Sequence, residues 1–226
     1  VKHLLHNPVY HALLSGDRHL SFGTGAVKYF AEEVSPFAAF EEGYAKGFAE
    51  LYEQLPAGRK ILYAIPSFIK QPVGWTLQHE IEGLQFVFTG NTAMANKNPA
   101  IVPLLDIHVQ QMIQLARLTK PGPFGQRTID FGFYHGIFEK DQLVAMTGQR
   151  LHVGNCTEIS AVCTHPDHTG KAYAYALIEH QLQIILQQGQ QPFLHVRADN
   201  ERAIALYQRM GFTISRPMNF YFMKRQ

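Results

Sequence analysis

Residues 162–177 read VCTHPDHTGKAYAYAL: an apolar strand broken at Pro166, a polar turn through His168, Thr169, Gly170 and Lys171, then a helix rich in alanine. A strand that runs into a glycine turn and a helix N-terminus leaves several backbone N–H groups without partners. Together with the helix dipole, these suit phosphate oxygens. Gly170 lets backbone and ligand approach closely, and Ala172, Ala174 and Ala176 keep the first helical turns uncluttered. An ordinary strand-to-helix connection packed on a sheet has the same composition, so this stretch alone leaves both readings open. On the strand CTEISAVCT, Glu158 stands among Ile159, Ala161, Val162 and Cys163. A carboxylate is out of place there unless the strand end reaches a cleft, where burial raises its pKa and makes it a better proton acceptor. A solvated or salt-bridged glutamate is the plainer alternative. Cys163 as a nucleophile has only His165 as a nearby base, with Pro166 breaking the geometry, and a small core residue is the better reading.

The elements that carry these residues alternate cleanly in the second half. FGFYHGIFEKDQLVAMTGQRL predicts a hairpin turning at Glu139–Asp141. CTEISAVCT is the next strand, the glycine turn leads into a helix to about Gln188, and PFLHVRA is a buried strand. Asn200 is a good N-cap for ERAIALYQRM, with Gly211 as its stop. FTISRPMNFYFMKR is expected to close the chain as two short strands, giving the order β-β-β-α-β-α-β-β. The first half is less regular. Pro36–Leu55 has helical spacing through Phe40, Tyr44, Phe48, Leu51 and Leu55. RKILYAIP and GLQFVFTG read as strands, and LLDIHVQQMIQLARLTK as an amphipathic helix stopped by a Pro-Gly-Pro turn. A soft boundary falls near residue 100, between a 1–100 extension and a 101–226 domain.

Composition narrows the function classes. The chain has 226 residues, 46% hydrophobic and 17% charged, with a formal net charge of +2; these are values of a globular protein. Lys and Arg are scattered with no basic stripe, so nucleic acid is not an expected partner. No apolar run approaches the ~18 residues of a membrane span. None of the twelve histidines falls in a familiar metal-ligand spacing, and no metal is expected. Cys156 and Cys163 on one strand are about 23 Å apart on opposite faces. They read as two thiols of a reducing, cytoplasmic setting.

The stretch DNERAIALYQRMGF, one strand beyond the glycine turn, adds a second motif. Asn200, Ala203, Tyr207, Gly211 and Phe212 match the Asn-x-x-Ala-x-x-x-Tyr-x-x-x-Gly-Phe pattern of the GNAT superfamily of acyl-CoA-dependent N-acyltransferases. The turn at 169–174 resembles that family's Gln/Arg-x-x-Gly-x-Gly/Ala turn. The resemblance covers roughly residues 103–226. It departs at Thr169, where the family has Gln or Arg, and at Ala172, where it has Gly; Gly170, Lys171 and Ala174 look as expected. Alanine is tolerated at negative φ, as inside a helix, and costly at positive φ.

What the resemblance implies is an α/β (α+β) fold with a mixed, mostly antiparallel sheet flanked by helices, the first hundred residues being an extension or a degenerate half-domain. It also implies acetyl-CoA as co-substrate and direct attack on the thioester by an amine of a small molecule or peptide. Backbone amides of Val162, Cys163 and Thr164 and of His168 through Ala174, including Tyr173, would hold pantetheine and pyrophosphate, with Asn200 in the same site. Tyr207 suits the return of a proton to the departing thiolate, since a phenol near 10 stays protonated at neutral pH; a tyrosine packed on the sheet is the alternative. Glu158 is the candidate base. By fold analogy alone, Phe124 and Arg127 line the acceptor groove. A monomer or homodimer is expected, and a non-catalytic acyl-CoA-binding or regulatory module is the rival function.

Overall fold

The computed structural model describes residues 4–90 and 100–226. Residues 1–3, and the segment 91–99 beside the expected boundary, lie outside the described residues. Helix α1 (Pro8–Leu14) opens on a proline, whose missing N–H is harmless in a first turn. Strands β1 (Ser21–Phe22), β2 (Val27–Phe30) and β3 (Ala38–Phe40) form a small antiparallel sheet. The helix expected over Pro36–Leu55 is confined to α2 (Gly47–Gln54), because Ala38–Phe40 pairs with β2 instead. A short buried strand followed by a helix facing the same core repeats apolar residues at near-helical intervals. Phe40 packs edge-on against Phe48 and stacks on Tyr63, each at 4.9 Å between centroids.

The chain continues through β4 (Lys60–Ile65), β5 (Trp75–Phe88), β6 (Ile101–Pro103), α3 (Val109–Thr119), β7 (His135–Glu139), β8 (Gln142–Val153), β9 (Cys156–Thr164), α4 (Tyr173–Gln187), β10 (Gln191–Arg197), α5 (Glu201–Arg209) and β11 (Phe212–Arg225). Strands β4 to β11 make one sheet in the order β4-β11-β5-β10-β9-β8-β7-β6. Among the described strands of this sheet, only β9 and β10 pair in parallel; the other strand pairs are antiparallel, and an isolated parallel bridge joins Phe37 to Leu62 of β4. Helices α1 and α3 pack on one face through Val9, Leu13, Met112 and Leu115. Helices α4 and α5 cover the other, where Ile178, Leu182, Ile185 and Tyr207 meet Phe86, Leu194 and Phe212. The β7–β8 hairpin turns through Lys140 and Asp141, both at positive φ (49° and 64°), as a two-residue turn with native twist requires.

The sheet is continuous across residue 100: β4 and β5 lie in it beside β10 and β11. The C-terminal segment is a single strand rather than two, with irregularities in its pairing to β5 between Ile214 and Arg216 and between Phe222 and Met223. Pro217 is accommodated because it pairs with β5 only; pairing with β4 begins at Asn219.

Two features of β9 prepare the site. It pairs with β10 only from Cys156 to Glu158, opposite Gln191 to Phe193, and beyond that point the strands part. In the same stretch Ala161 has φ 54°, and the pairing with β8 slips between Ser160 and Cys163. This β-bulge bends the strand. It also overturns the expectation that the cysteines face opposite ways. Both lie in the same core cluster, because the irregular register reverses the alternation between them.

Candidate active site

At the end of β9, Pro166–His168 form one turn of 3-10 helix, Gly170 takes φ 82°, and α4 starts at Tyr173. No side chain caps α4. The N–H groups of Gly170, Lys171 and Ala172 make no hydrogen bond to a described residue. The first amides of the fifteen-residue helix add to this row of free donors, with the positive end of the dipole behind them. Ala172 is the N-cap at φ 59° rather than at the negative φ that would suit alanine. An L-residue there carries a penalty of about 1–2 kcal/mol. Thr169 donates its hydroxyl to the Pro166 carbonyl at 3.0 Å and so belongs to the turn itself. Glu139, at the end of β7, accepts from Lys171 Nζ (2.7 Å), the Tyr173 hydroxyl and His168 Nδ1 (3.0 Å). The Lys171 ammonium first, then Tyr173 and His168, hold its carboxyl at about 2.

A cleft of about 1020 Å³ runs from this turn through the gap between β9 and β10. Its walls include Val162, Cys163 and Thr164 on one side, His168 through Ala174 at the mouth, and Asn200 and Tyr207 opposite. Every residue expected at the donor site, and Tyr207 with them, therefore borders one cavity, whereas Glu158, Phe124 and Arg127 do not. Past the last β9–β10 pair, β9 is bonded only to β8 and β10 only to β5, so both inner edges present unpaired backbone groups to the cleft. Asn200 uses Oδ1 to accept from the Ala203 N–H (3.1 Å), capping α5. Tyr207 is largely buried against Phe86 and Phe212. Its hydroxyl bonds to no described residue, and burial pushes its pKa up to about 12. Burial also pushes the Cys163 thiol up to about 11, which disfavours the thiolate that a nucleophile needs.

Glu158 departs from expectation. It is fully buried and does not line the cleft. Arg150 on β8 grips its carboxylate with two hydrogen bonds, Nε to Oε2 at 2.8 Å and Nη2 to Oε1 at 2.6 Å, and His195 Nδ1 lies 2.7 Å from Oε1. Burial alone would raise the carboxyl pKa, but the Arg150 guanidinium and His195 outweigh it and hold the group at about 2. A carboxylate so held is a weak proton acceptor, which corrects its assignment as the base. Gln85 on β5 completes the cluster. Its Nε2 donates to the Leu5 carbonyl (2.8 Å) and lies 3.1 Å from His195 Nε2. That nitrogen must then accept, so the His195 proton sits on Nδ1, toward Glu158.

Arg150 and His195 do border the cleft, together with Phe37, Leu62, His79, Ile81, Phe220, Phe222 and the Pro121–Pro123 turn. Of these, the sequence singled out only the Pro121–Pro123 turn, as the stop of the helix before the loop that carries Phe124 and Arg127. The one available signal was Arg150, the single Lys or Arg in strand β8, opposite in sign to the equally misplaced Glu158. Phe124 and Arg127 do not line this cleft. Phe124 packs edge-on against Tyr134 (5.7 Å), and Arg127 pairs with Asp130 at 2.6 Å.

Residues 134–221 match the FR47-like protein family. No curated protein matches the sequence. Among solved structures, a protein from Novosphingobium aromaticivorans assigned to the GNAT family of acetyltransferases is 30% identical, with a TM-score of 0.92 over 99% of each chain. The fold is shared with GCN5-related N-acetyltransferases from Kribbella flavida (14% identity, TM-score 0.61, 98% of this chain and 95% of that one) and Sphaerobacter thermophilus (15%, 0.56, 90% and 78%).

Proposed function

The chain belongs to the GNAT family, and from that premise we propose that it transfers an acetyl group from acetyl-CoA to an amine. The observation that carries this reading is the row of free N–H donors at Gly170, Lys171, Ala172 and the start of α4, opening onto a cleft between two unpaired strand edges. Pyrophosphate needs donors in a row, and the pantetheine amides need strand edges with which to bond. Positive φ at Gly170 turns the backbone, and a side chain there would meet no neighbouring atom within 4 Å, so the mouth is open. A volume of about 1020 Å³ is at the upper end of small-molecule sites and suits a ligand as large as coenzyme A.

Acetyl-CoA supplies an activated thioester: the amine nitrogen bonds to the acetyl carbon, the carbon–sulfur bond breaks, and sulfur leaves with the electron pair. The unpaired N–H groups of β9 at its bulge stabilise negative charge on the carbonyl oxygen. Tyr207, protonated at any working pH because burial holds it at about 12, donates a hydrogen bond to the departing sulfur. The proton lost by nitrogen passes to water in the open cleft, since Glu158 is engaged by Arg150 and His195.

Calorimetric titration with acetyl-CoA, coenzyme A and ATP tests the reading. Micromolar binding of the two coenzyme A species without ATP is expected. Tyr207→Phe should keep that affinity and lower turnover on the order of a hundredfold. No binding of either species would overturn the donor site, and an unchanged rate would remove Tyr207 from its role. Binding in wild type with no acetylation of any amine would favour a non-catalytic acyl-CoA module, the reading that Thr169 and Ala172 suggest.

A further inference from the structure

We infer that the acceptor is a weakly basic amine on an apolar body, entering as the uncharged free base, of the arylamine class rather than a lysine side chain or a polyamine. The inference rests on the acetyltransferase reading above and concerns the half of the cleft away from the glycine turn. Its walls include Phe37, Leu62, Ile81, Phe220 and Phe222, and Arg150 also borders the cleft. These come from β4, β5 and β11 and the segment before β3, so the first ninety residues build much of this wall.

No Asp or Glu is among the described residues that line the cleft, and residues 91–99 contain none in their sequence. The charged or titratable groups facing the acceptor half are Lys120, Arg150, His79 and His195. The Glu158 carboxylate on β9 is sealed by Arg150 and His195, and its depressed pKa leaves it no appetite for a second cation's proton. At the donor end, Glu139 and Asp199 are each engaged, by Lys171 and Arg197.

An alkylammonium entering such a cleft loses water, gains no counter-charge and meets the Lys120 ammonium, since the Arg150 charge is already balanced by Glu158; each of these costs free energy. It would also have to shed its proton before its lone pair could attack, with no buried carboxylate to take it. An amine that is already neutral at pH 7 avoids both costs, and its ring can pack on Phe220 and Phe222. His79 stacks on Phe222 at 4.1 Å, and its ring nitrogens bond to no described residue, so the aromatic surface continues to the cleft rim with an uncommitted polar edge.

The test compares kcat/KM for aniline, benzylamine, spermidine and a lysine peptide at pH 7, after calorimetry has established acetyl-CoA binding. Aniline should be preferred by about tenfold or more, one pK unit's worth of free energy. Its rate should be flat between pH 6 and 8, while any benzylamine rate climbs with pH. Placing a carboxylate on the wall with Ile81→Glu should shift the preference toward benzylamine without altering donor affinity. Preference for spermidine or the lysine peptide in an enzyme that binds acetyl-CoA would overturn this inference and leave the acetyltransferase reading intact. Acetylation of no amine in the panel would overturn it as well, and failure to bind acetyl-CoA would remove the reading beneath it.

Discussion

Glu158 and Arg150 form a buried ion pair whose worth lies in what happens when half of it is removed. Glu158 is out of water and Arg150 nearly so, with 12% of its side chain exposed at the cleft, and the two hydrogen bonds with His195 beside them satisfy the carboxylate. Glu158→Gln would leave the Arg150 guanidinium buried without a counter-charge, a loss of about 3–5 kcal/mol. The pH dependence has a definite sign. The folded pKa of about 2 lies below the ordinary value of 4.5, so the stabilisation is complete above the ordinary value and is lost as pH falls toward 2. Urea titrations of wild type and Glu158→Gln should show the widest gap at pH 6–7 and a narrowing gap below pH 4. A gap of the same size at pH 3 would mean that the carboxylate charge contributes nothing. Conversely, the sequence shows that Glu158 is unusual but not what it touches. Its partner lies on another strand, and the register between them slips twice, so counting residues along either strand cannot find it.

At the scale of the element, the glycine turn and α4 carry a local fault. Ala172 occupies the left-handed region at the N-cap, where glycine pays no steric penalty. Ala172→Gly should relieve about 1–2 kcal/mol of strain against about 0.4–1 kcal/mol of added unfolded-state entropy. The expected net is a Tm rise of a few degrees, about 2–4 °C per kcal/mol for a chain of this size. Acetyl-CoA affinity should be unchanged or stronger. A lower Tm would show that the turn does not hold this conformation in solution. Here the sequence is informative because the signals are local: the turn, the β7–β8 hairpin and the Asn200 cap each depend on a few adjacent residues, and the structure places each where the spacing predicts. Legibility ends where pairing decides. Ala38–Phe40 continues the helical spacing of α2, but β2 claims it as a strand. The closing segment contains Pro217 and reads as two strands, but β5 supplies a partner along nearly its whole length. The cleft wall opposite the turn, from Phe37 to Phe222, is assembled from segments far apart in the chain, and no short window contains it.

At the scale of the molecule, the insertion of β5 decides which part of the chain can stand alone. The match to the FR47-like family spans residues 134–221, and the motifs lie wholly beyond residue 100, so a fragment of residues 101–226 looks self-sufficient in sequence. In the sheet it is not. Both neighbours of β11 are β4 and β5, and β5 also bonds to β10 through Phe193–Arg197. Without residues 60–88, β11 has no hydrogen-bonded partner. Phe212 and Tyr207 lose Phe86 and Phe88, and Gln85 no longer holds His195. An unpaired fourteen-residue strand exposes its backbone groups and its buried side chains Met218, Tyr221 and Met223 to self-association. A 101–226 fragment should therefore aggregate or show no cooperative thermal transition by circular dichroism. Co-expression with residues 1–100 should restore both the transition and coenzyme A binding. A fragment that melts cooperatively and binds coenzyme A by itself would mean that β5 is an accessory strand. A fragment that needs its partner would mean that the donor turn, legible in one short stretch, works only inside a sheet completed by the half of the chain in which no motif can be read.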